Sequence, residues 1–448
     1  MVAFVPMRPG RLADVPSFVR GIGGAESNVA CGLAAAGHRT KWVGRVGADG
    51  FGEHLVAAIG AYGVDTSAVQ RDPLRPTGVY FRTAGERATD PREVMDPRQP
   101  SDPRDHVVDA VRGAEDLAEV VYYRAGSAAS AMSPSTVRRD ELWSGRVLHL
   151  SGITAALSPD CLALLRTLTA PAPGRPLVSF DVNYRVNLWR EGEGPRVLLD
   201  LARGADVVFV GEDEAEAAWG LRGASAIRRA LPEPAVLVVK QGAAGATAYV
   251  RQQSQPSQQD QQCQRSQQGQ RSRPGQPGQQ SRPGQQDQQS QQDQLGQQNQ
   301  PGQPSRQSRP GQQDQPGQPG QPGQWSQQGQ PGPQSQPSRR TADPPGVDAV
   351  TFVPALRVDV VAPVGAGDAF AAGFLSATLR GLPARERLRH GHLMAAATLT
   401  VEGDLGAPAA RDDADRLVAL DGAGWGRLRL GPGWTSAVAQ DPQEVRTA

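Results

Sequence analysis

Apolar residues along this chain fall into short runs, separated by stretches at helical spacing. The runs at 147–150, 177–181, 206–210, 236–240 and 247–250 are rich in Val, Leu and Ala and are short enough for strands. Between them, residues 158–169 and 197–204 repeat Ala, Leu and Arg at helical spacing. Strands alternating with helices predict an α/β fold, a mainly parallel sheet with helices on both faces. Sheets of this kind bind ligands at the carboxyl ends of their strands. Two more β-prone segments, near 77–82 and 120–124, flank a stretch rich in Asp, Pro and Arg at 86–105, and predict a small β appendage.

Residues 251–346 break the pattern. They are almost wholly Gln, Pro, Gly, Ser and Arg, and a nine-residue near-repeat at 280–288 returns at 307–315. So few apolar side chains cannot offset the entropy of ordering, and a disordered insert is expected. It lies between 247–250 and a strand-like segment at 349–354, which are expected to pair as a hairpin. A long connection is tolerated there, because loop-closure cost grows slowly with length. One large domain over 1–420 follows, interrupted by the insert. The tail at 421–448 has Gly, Pro and Trp without a clear period and is expected to be irregular.

Composition narrows the function classes. Length alone, 448 residues, suggests two or three domains. Removing the insert leaves roughly 350 residues, which suits one large domain with an appendage. Lys and Arg number 47 against 46 Asp and Glu, so no basic surplus points to nucleic acid. No apolar run is long enough to span a bilayer and no secretory leader pattern opens the chain, so a membrane partner is not expected. Cys31, Cys161 and Cys263 lack metal-ligand spacing. They read as two buried thiols and one in the insert, which suits a reducing cytoplasm.

The sharpest chemistry lies at 362–370. Gly365, Ala366 and Gly367 make a tight turn, Asp368 follows, and a helix-forming stretch runs to Arg380 before Gly381 and Pro383. Backbone N–H groups at such a helix start suit an anion, and a carboxylate among them can take a proton from an attacking hydroxyl. The alternative is an acidic residue capping a helix after a glycine turn.

Residues 365–368 resemble the C-terminal signature of the ribokinase-like (PfkB) family of carbohydrate kinases. Residues 23–30 (Gly-Gly-Ala-Glu-Ser-Asn-Val-Ala), 33–37 and 43–52 resemble that family's other signature, in the right order. The likeness runs from residue 1 to about 420, apart from the two irregular stretches. It implies a ribokinase-like fold with a small β lid, ATP and Mg2+, and Asp368 as catalytic base beside the anion-holding Gly365, Ala366 and Gly367. It places the sugar against Gly23, Gly24 and Asn28, although Asn28 alone also reads as a turn-former. Glycines 44, 47, 50 and 52 are not a P-loop, because no Lys-Ser/Thr pair follows them. The nucleotide is implied along residues 240–246, with Lys240, Gly242 and Gly245, and beside Asn183. Glu214 stands where the family has a Glu that organises Mg2+ through water, but Gly211 replaces the accompanying Asn, and Ala362 replaces a frequent Asp.

Residues 77–81, 122–130 and 180–189 resemble the branch of that family acting on 2-keto-3-deoxygluconate. There Tyr80, Arg124 and Arg185 hold an acidic sugar, and Arg suits a carboxylate because its fork pairs bidentately. For each Arg a structural ion pair is the alternative. Fructose or another neutral sugar is the second substrate class. A different class altogether is a catalytically weak scaffold associating through the Gln-rich insert. The partner expected is therefore a small sugar or sugar acid, with a homodimer or higher homo-oligomer compatible with the family. The family usually opens with a strand and a Gly-Glu pair before the segment resembling 1–6, so a shortened first strand is expected.

Overall fold

A computed structural model of the chain describes residues 1–8, 10, 12–84, 118–189, 192–252 and 347–436, which fall in one compact unit. In chain order its strands are β1 (Val2–Pro6), β2 (Phe18–Ile22), β3 (Arg45–Gly47), β4 (Gln70–Asp72), β5 (Val79–Ala84), β6 (Ala118–Tyr123) and β7 (Val147–Ser151). They continue with β8 (Leu177–Asp181), β9 (Val207–Gly211), β10 (Val236–Lys240), β11 (Gly245–Arg251), β12 (Asp348–Pro354), β13 (Arg357–Val358) and β14 (Arg429–Leu430).

The central sheet has the order β12-β11-β10-β9-β8-β7. Strands β7 to β10 run parallel, and β11 and β12 close the edge antiparallel. Strand periodicity sends alternate residues to opposite faces. Val207, Phe209, Val236 and Val238 pack on one face with Phe370, Phe374 and Leu388. Val208, Val210, Leu237 and Val239 pack on the other with Leu164, Leu165, Leu198 and Ile227. Both faces are thus covered by helices, which is why β9 reads as an unbroken apolar run, buried at all five positions. Each such side chain contributes about 1.5–3 kcal/mol by its burial. Cys31 and Cys161 are buried free thiols, and burial pushes the Cys31 thiol up to about 12; Cys263 lies outside the described residues.

A second sheet, β2-β1-β5-β6, is the appendage expected from 77–82 and 120–124. Its strands β5 and β6 pair antiparallel from Val79↔Tyr123 to Ala84↔Ala118. Val2, Phe4, Val79 and Phe81 share one face, where Phe4 stacks on Phe81 at 4.8 Å, and Ala3, Tyr80 and Arg82 share the other. The stretch at 86–105 lies outside the described residues.

The expected hairpin forms, with Val250 opposite Ala349 and a last rung at Arg251↔Asp348. Gln252 N then donates to Val347 O at 3.2 Å. Beyond these residues the insert lies outside the described part. Replacing 253–346 with a short Gly-containing turn is expected to keep a single cooperative thermal transition, at or above the full chain's Tm. Each halving of the length that the hairpin must close recovers about 0.6 kcal/mol. A lost or broadened transition in the shortened protein would show that the segment contributes to the fold.

The expectation of an irregular tail from 421 is corrected over its described part. Gly422–Arg427 is a helix capped by Asp421, and Arg429–Leu430 pairs parallel with β13. Trp425 and Trp434 are buried in the core, and Trp425 Nε1 donates to Pro354 O at 3.0 Å. Two large aromatics anchor this segment without needing a period long enough to read.

Candidate active site

Asp181 and Lys240, at the carboxyl ends of β8 and β10, line a cavity of about 1190 Å3. Glu214, just after β9, joins them. From the opposite side comes helix Ala366–Leu379, whose N-cap is Gly365. Gly365 has φ of 83°, and a Cβ there would lie 2.2 Å from the Asp404 carbonyl oxygen, so only glycine makes this turn. The helix is long enough for its first amides to carry an appreciable positive end. Asp368 sits in that first turn.

Asn28, on helix Ala25–Ala35, donates from Nδ2 to Asp368 Oδ2 at 2.8 Å. Asn28 is buried, and its Oδ1 has no hydrogen-bond partner among the described residues. A buried acceptor left open costs about 1–3 kcal/mol, so the site is built to receive a donor there. Burial pushes the Asp368 carboxyl up to about 7. The Asn28 hydrogen bond and Lys240 oppose that rise, whereas the Asp181 and Asp404 charges add to it.

Lys240 Nζ contacts both Asp181 oxygens, at 2.9 and 3.1 Å. Burial works against its charge, but the Asp181, Glu214 and Asp368 carboxylates outweigh burial and hold the ammonium above the usual lysine range. Glu214 accepts from Gly211 N at 3.0 Å and from Arg185 at 3.1 Å. Among the described residues no cluster of three or more His, Cys, Asp or Glu side chains could hold a metal. Both Glu214 oxygens and both Asp181 oxygens are thus engaged by cations or amides, and the donor set fits a metal ion held chiefly by phosphates and water.

The cavity brings together most of the residues singled out from sequence. Gly24, Asn28, Tyr80, Arg124, Asn183, Arg185, Glu214, Lys240, Gly365, Gly367 and Asp368 all line it. Gly23, Ala366, Gly242 and Gly245 do not. Gly242 lies in the short turn after β10, and Gly245 opens β11 opposite Pro354. Asn183 has φ of 43°, the one non-glycine residue with positive φ among those described.

The three sugar-side assignments, all on this cavity, differ in the partners they keep. Tyr80 is buried, and its hydroxyl donates to Asp404 Oδ2 at 2.5 Å, so it is already engaged. Arg185 is paired with Glu214 and half exposed. Arg124 has no ion-pair partner among the described residues; its guanidinium lies 4.3 Å from the centre of the Tyr122 ring. Asp404 and Glu26 also line the cavity, and sequence reasoning passed over both. Glu26 accepts from Thr154, and its place beside Asn28 in the glycine-led signature was the available signal. Asp404 stands alone among glycines, and nothing local marks it.

A protein-family model for the pfkB family carbohydrate kinases matches residues 1–106, 110–264 and 345–409. The chain belongs to this family. The two signatures at 23–52 and 365–368 had suggested as much, and the ribokinase-like fold agrees. Among curated proteins, it is 31% identical over 245 residues to the 2-dehydro-3-deoxygluconokinase of Thermoproteus tenax, covering 54% of this chain and 66% of the relative. It is 27% identical over 257 residues to fructokinase-2 of Solanum habrochaites, covering 56% of this chain and 70% of the relative. The chain therefore spans just under two thirds of the length of the Thermoproteus relative. Among solved structures, the PfkB protein of Polaromonas sp. JS666 matches with a TM-score of 0.57 and 24% identity, over 93% of this chain and 96% of that one.

Proposed function

We propose that the protein transfers the γ-phosphoryl group of ATP to a hydroxyl of a sugar acid, 2-keto-3-deoxygluconate, giving its 6-phosphate. The observation that carries the reading is Asp368, a carboxyl raised to about 7 and held by Asn28 at the start of a helix that faces the cavity. The ionised Asp368 accepts the hydroxyl proton as the hydroxyl oxygen bonds to the γ-phosphorus. The bond between that phosphorus and the β–γ bridging oxygen breaks, and ADP departs with the electron pair. The amides at Gly365–Asp368 and the Lys240 ammonium meet the negative oxygens of the transferring group. Mg2+ bound with the nucleotide would supply charge neutralisation at the phosphates, and Glu214 is the residue that would help hold it. Arg124, a cavity-lining cation without an ionic partner among the described residues, suits the sugar carboxylate.

Fructose is the second substrate, because a fructokinase stands among the relatives at 27% identity. We further propose one kinase domain over 1–436, its core completed by Trp425 and Trp434, with the insert entering between Gln252 and Val347. Among the described residues no helix is long and apolar enough to cross a membrane.

The test is sugar-dependent ADP release by the purified protein with ATP and Mg2+, across 2-keto-3-deoxygluconate, fructose, ribose and gluconate. Preference for the first is expected. No sugar-dependent release from any would remove the kinase reading and favour a scaffold. A second test addresses Asn28. Its hydrogen bond favours the ionised Asp368, so Asn28→Ala is expected to move the acid limb of kcat/KM to higher pH. An unmoved limb would show that the contact does not govern the base.

A further inference from the structure

Asp404 stands where three segments of the site meet. Its Oδ2 accepts from the Tyr80 hydroxyl at 2.5 Å, and its Oδ1 pairs with Arg82. Both partners are on β5 of the small sheet, two residues apart and on one face. Arg82 also donates to the carbonyl of Glu402, so the strand grips both the side chain and the main chain of this segment. On its other side, the Asp404 carbonyl fills the space that a side chain at Gly365 would take. The third contact is at Gly23, where a Cβ would lie 2.1 Å from the Tyr80 oxygen and 2.6 Å from Asp404 Oδ2. Gly23 leads into the turn before the helix that carries Asn28.

We propose that Asp404 is a positioning residue, a latch that ties β5 to the Gly365 turn and so fixes the small sheet over the first amides of the Asp368 helix. The inference rests on the phosphoryl-transfer reading above, and it assigns to Tyr80 a part in this latch in place of direct sugar binding. The residue touches neither reacting atom. Its effect comes through geometry, and displacement of reacting groups by about 1 Å costs on the order of a hundredfold in rate. The contacts suit that purpose. A carboxylate taken out of water is stable only when paired and hydrogen-bonded, so the phenol and the guanidinium must both be in place for the segment to sit down. Lifting the small sheet breaks both contacts together and frees the Gly365 turn. Closure over the cavity and assembly of the anion-holding amides then become one event, which would let water enter whenever the amides are out of place.

The test uses the full chain with Asp404→Asn, Tyr80→Phe and the double variant. Asn keeps an acceptor for Tyr80 and removes the charge that Arg82 needs, with nearly unchanged volume. Asp404→Asn is expected to lower kcat with sugar tenfold or more while KM for the sugar changes little. Sugar-independent ATP hydrolysis, as a fraction of sugar phosphorylation, is expected to rise. Because both changes break one latch, the double variant is expected to be no worse than Asp404→Asn alone. Hydrogen exchange on the same proteins needs no substrate, and amides of β5 and of residues 365–368 are expected to lose protection together. Additive losses in the double variant, or lost protection on β5 with residues 365–368 unchanged, would overturn the latch. A wild-type protein with no sugar-dependent turnover would remove the kinase reading alone, and the exchange result would still decide the latch.

Discussion

Asp368→Asn is expected to lower kcat about a thousandfold while ATP binding persists, the loss appropriate to a general base. Asn keeps the shape and leaves the amides of the turn in place, but it cannot take a proton. The wild-type pH profile is expected to carry the signature of the same group. Only ionised Asp368 acts, so kcat/KM rises with pH up to about 7 and then levels. Stability runs the other way. The folded-state value lies above the ordinary carboxyl value of 3.8, so the fold prefers the neutral acid. That preference is fully present below about 4 and is lost as pH rises through about 7. The asparagine variant has no charge to bury. Its Tm relative to wild type should therefore be nearly equal at acidic pH and higher by a few degrees at pH 8. Parallel kcat/KM profiles and melting curves on both proteins provide the check. Near-normal turnover, or a Tm difference independent of pH, would remove Asp368 from this role.

The parts of the molecule legible from sequence are those whose cause is local. The strands at 177–181 and 236–240 appear where the apolar runs put them, because burial on both faces leaves no polar interruption. The turn into the Asp368 helix was legible because four neighbouring residues make it. Pairings across the fold were not. Asn28 and Asp368 are 340 residues apart, and Tyr80 and Asp404 are 324 apart. A buried tyrosine and an arginine each have many acidic residues to choose from, and only the folded chain selects one. Thus the Tyr80 contact to Asp404 and the Arg185 contact to Glu214 could not be read from the neighbourhood of either partner. The tail at 421–436 was missed for another reason: its burial comes from Trp425 and Trp434, too few residues to show a period.

The different surroundings of the two arginines lead to the other large effect. Arg124→Ala is expected to collapse the preference for 2-keto-3-deoxygluconate over fructose, about a hundredfold in the kcat/KM ratio. Arg124 has no ionic partner among the described residues and is half-buried against the Tyr122 ring. Burial and the nearby Arg185 charge hold its guanidinium below the usual range, with Tyr122 and Glu26 opposing them. A substrate carboxylate there relieves an unpaired cation and gains a bidentate contact. A neutral ketose leaves that cation uncompensated, so removing Arg124 harms the acid and spares the ketose. Arg185 is in a different position. Its charge is already matched by Glu214, and its side chain is 51% exposed, where water screens much of any further interaction. Arg185→Ala should therefore change the ratio far less. Arg124→Lys should recover only part of the loss, because Lys keeps the charge without the planar fork. Salt should matter little to the closed complex, since poorly hydrated pairs are weakly screened. The deciding measurement is kcat/KM for both sugars in the parent and the three variants. Equal losses for both sugars in Arg124→Ala would assign that residue to the fold or to the nucleotide, and a parent that prefers fructose would end the sugar-acid assignment while leaving phosphoryl transfer standing.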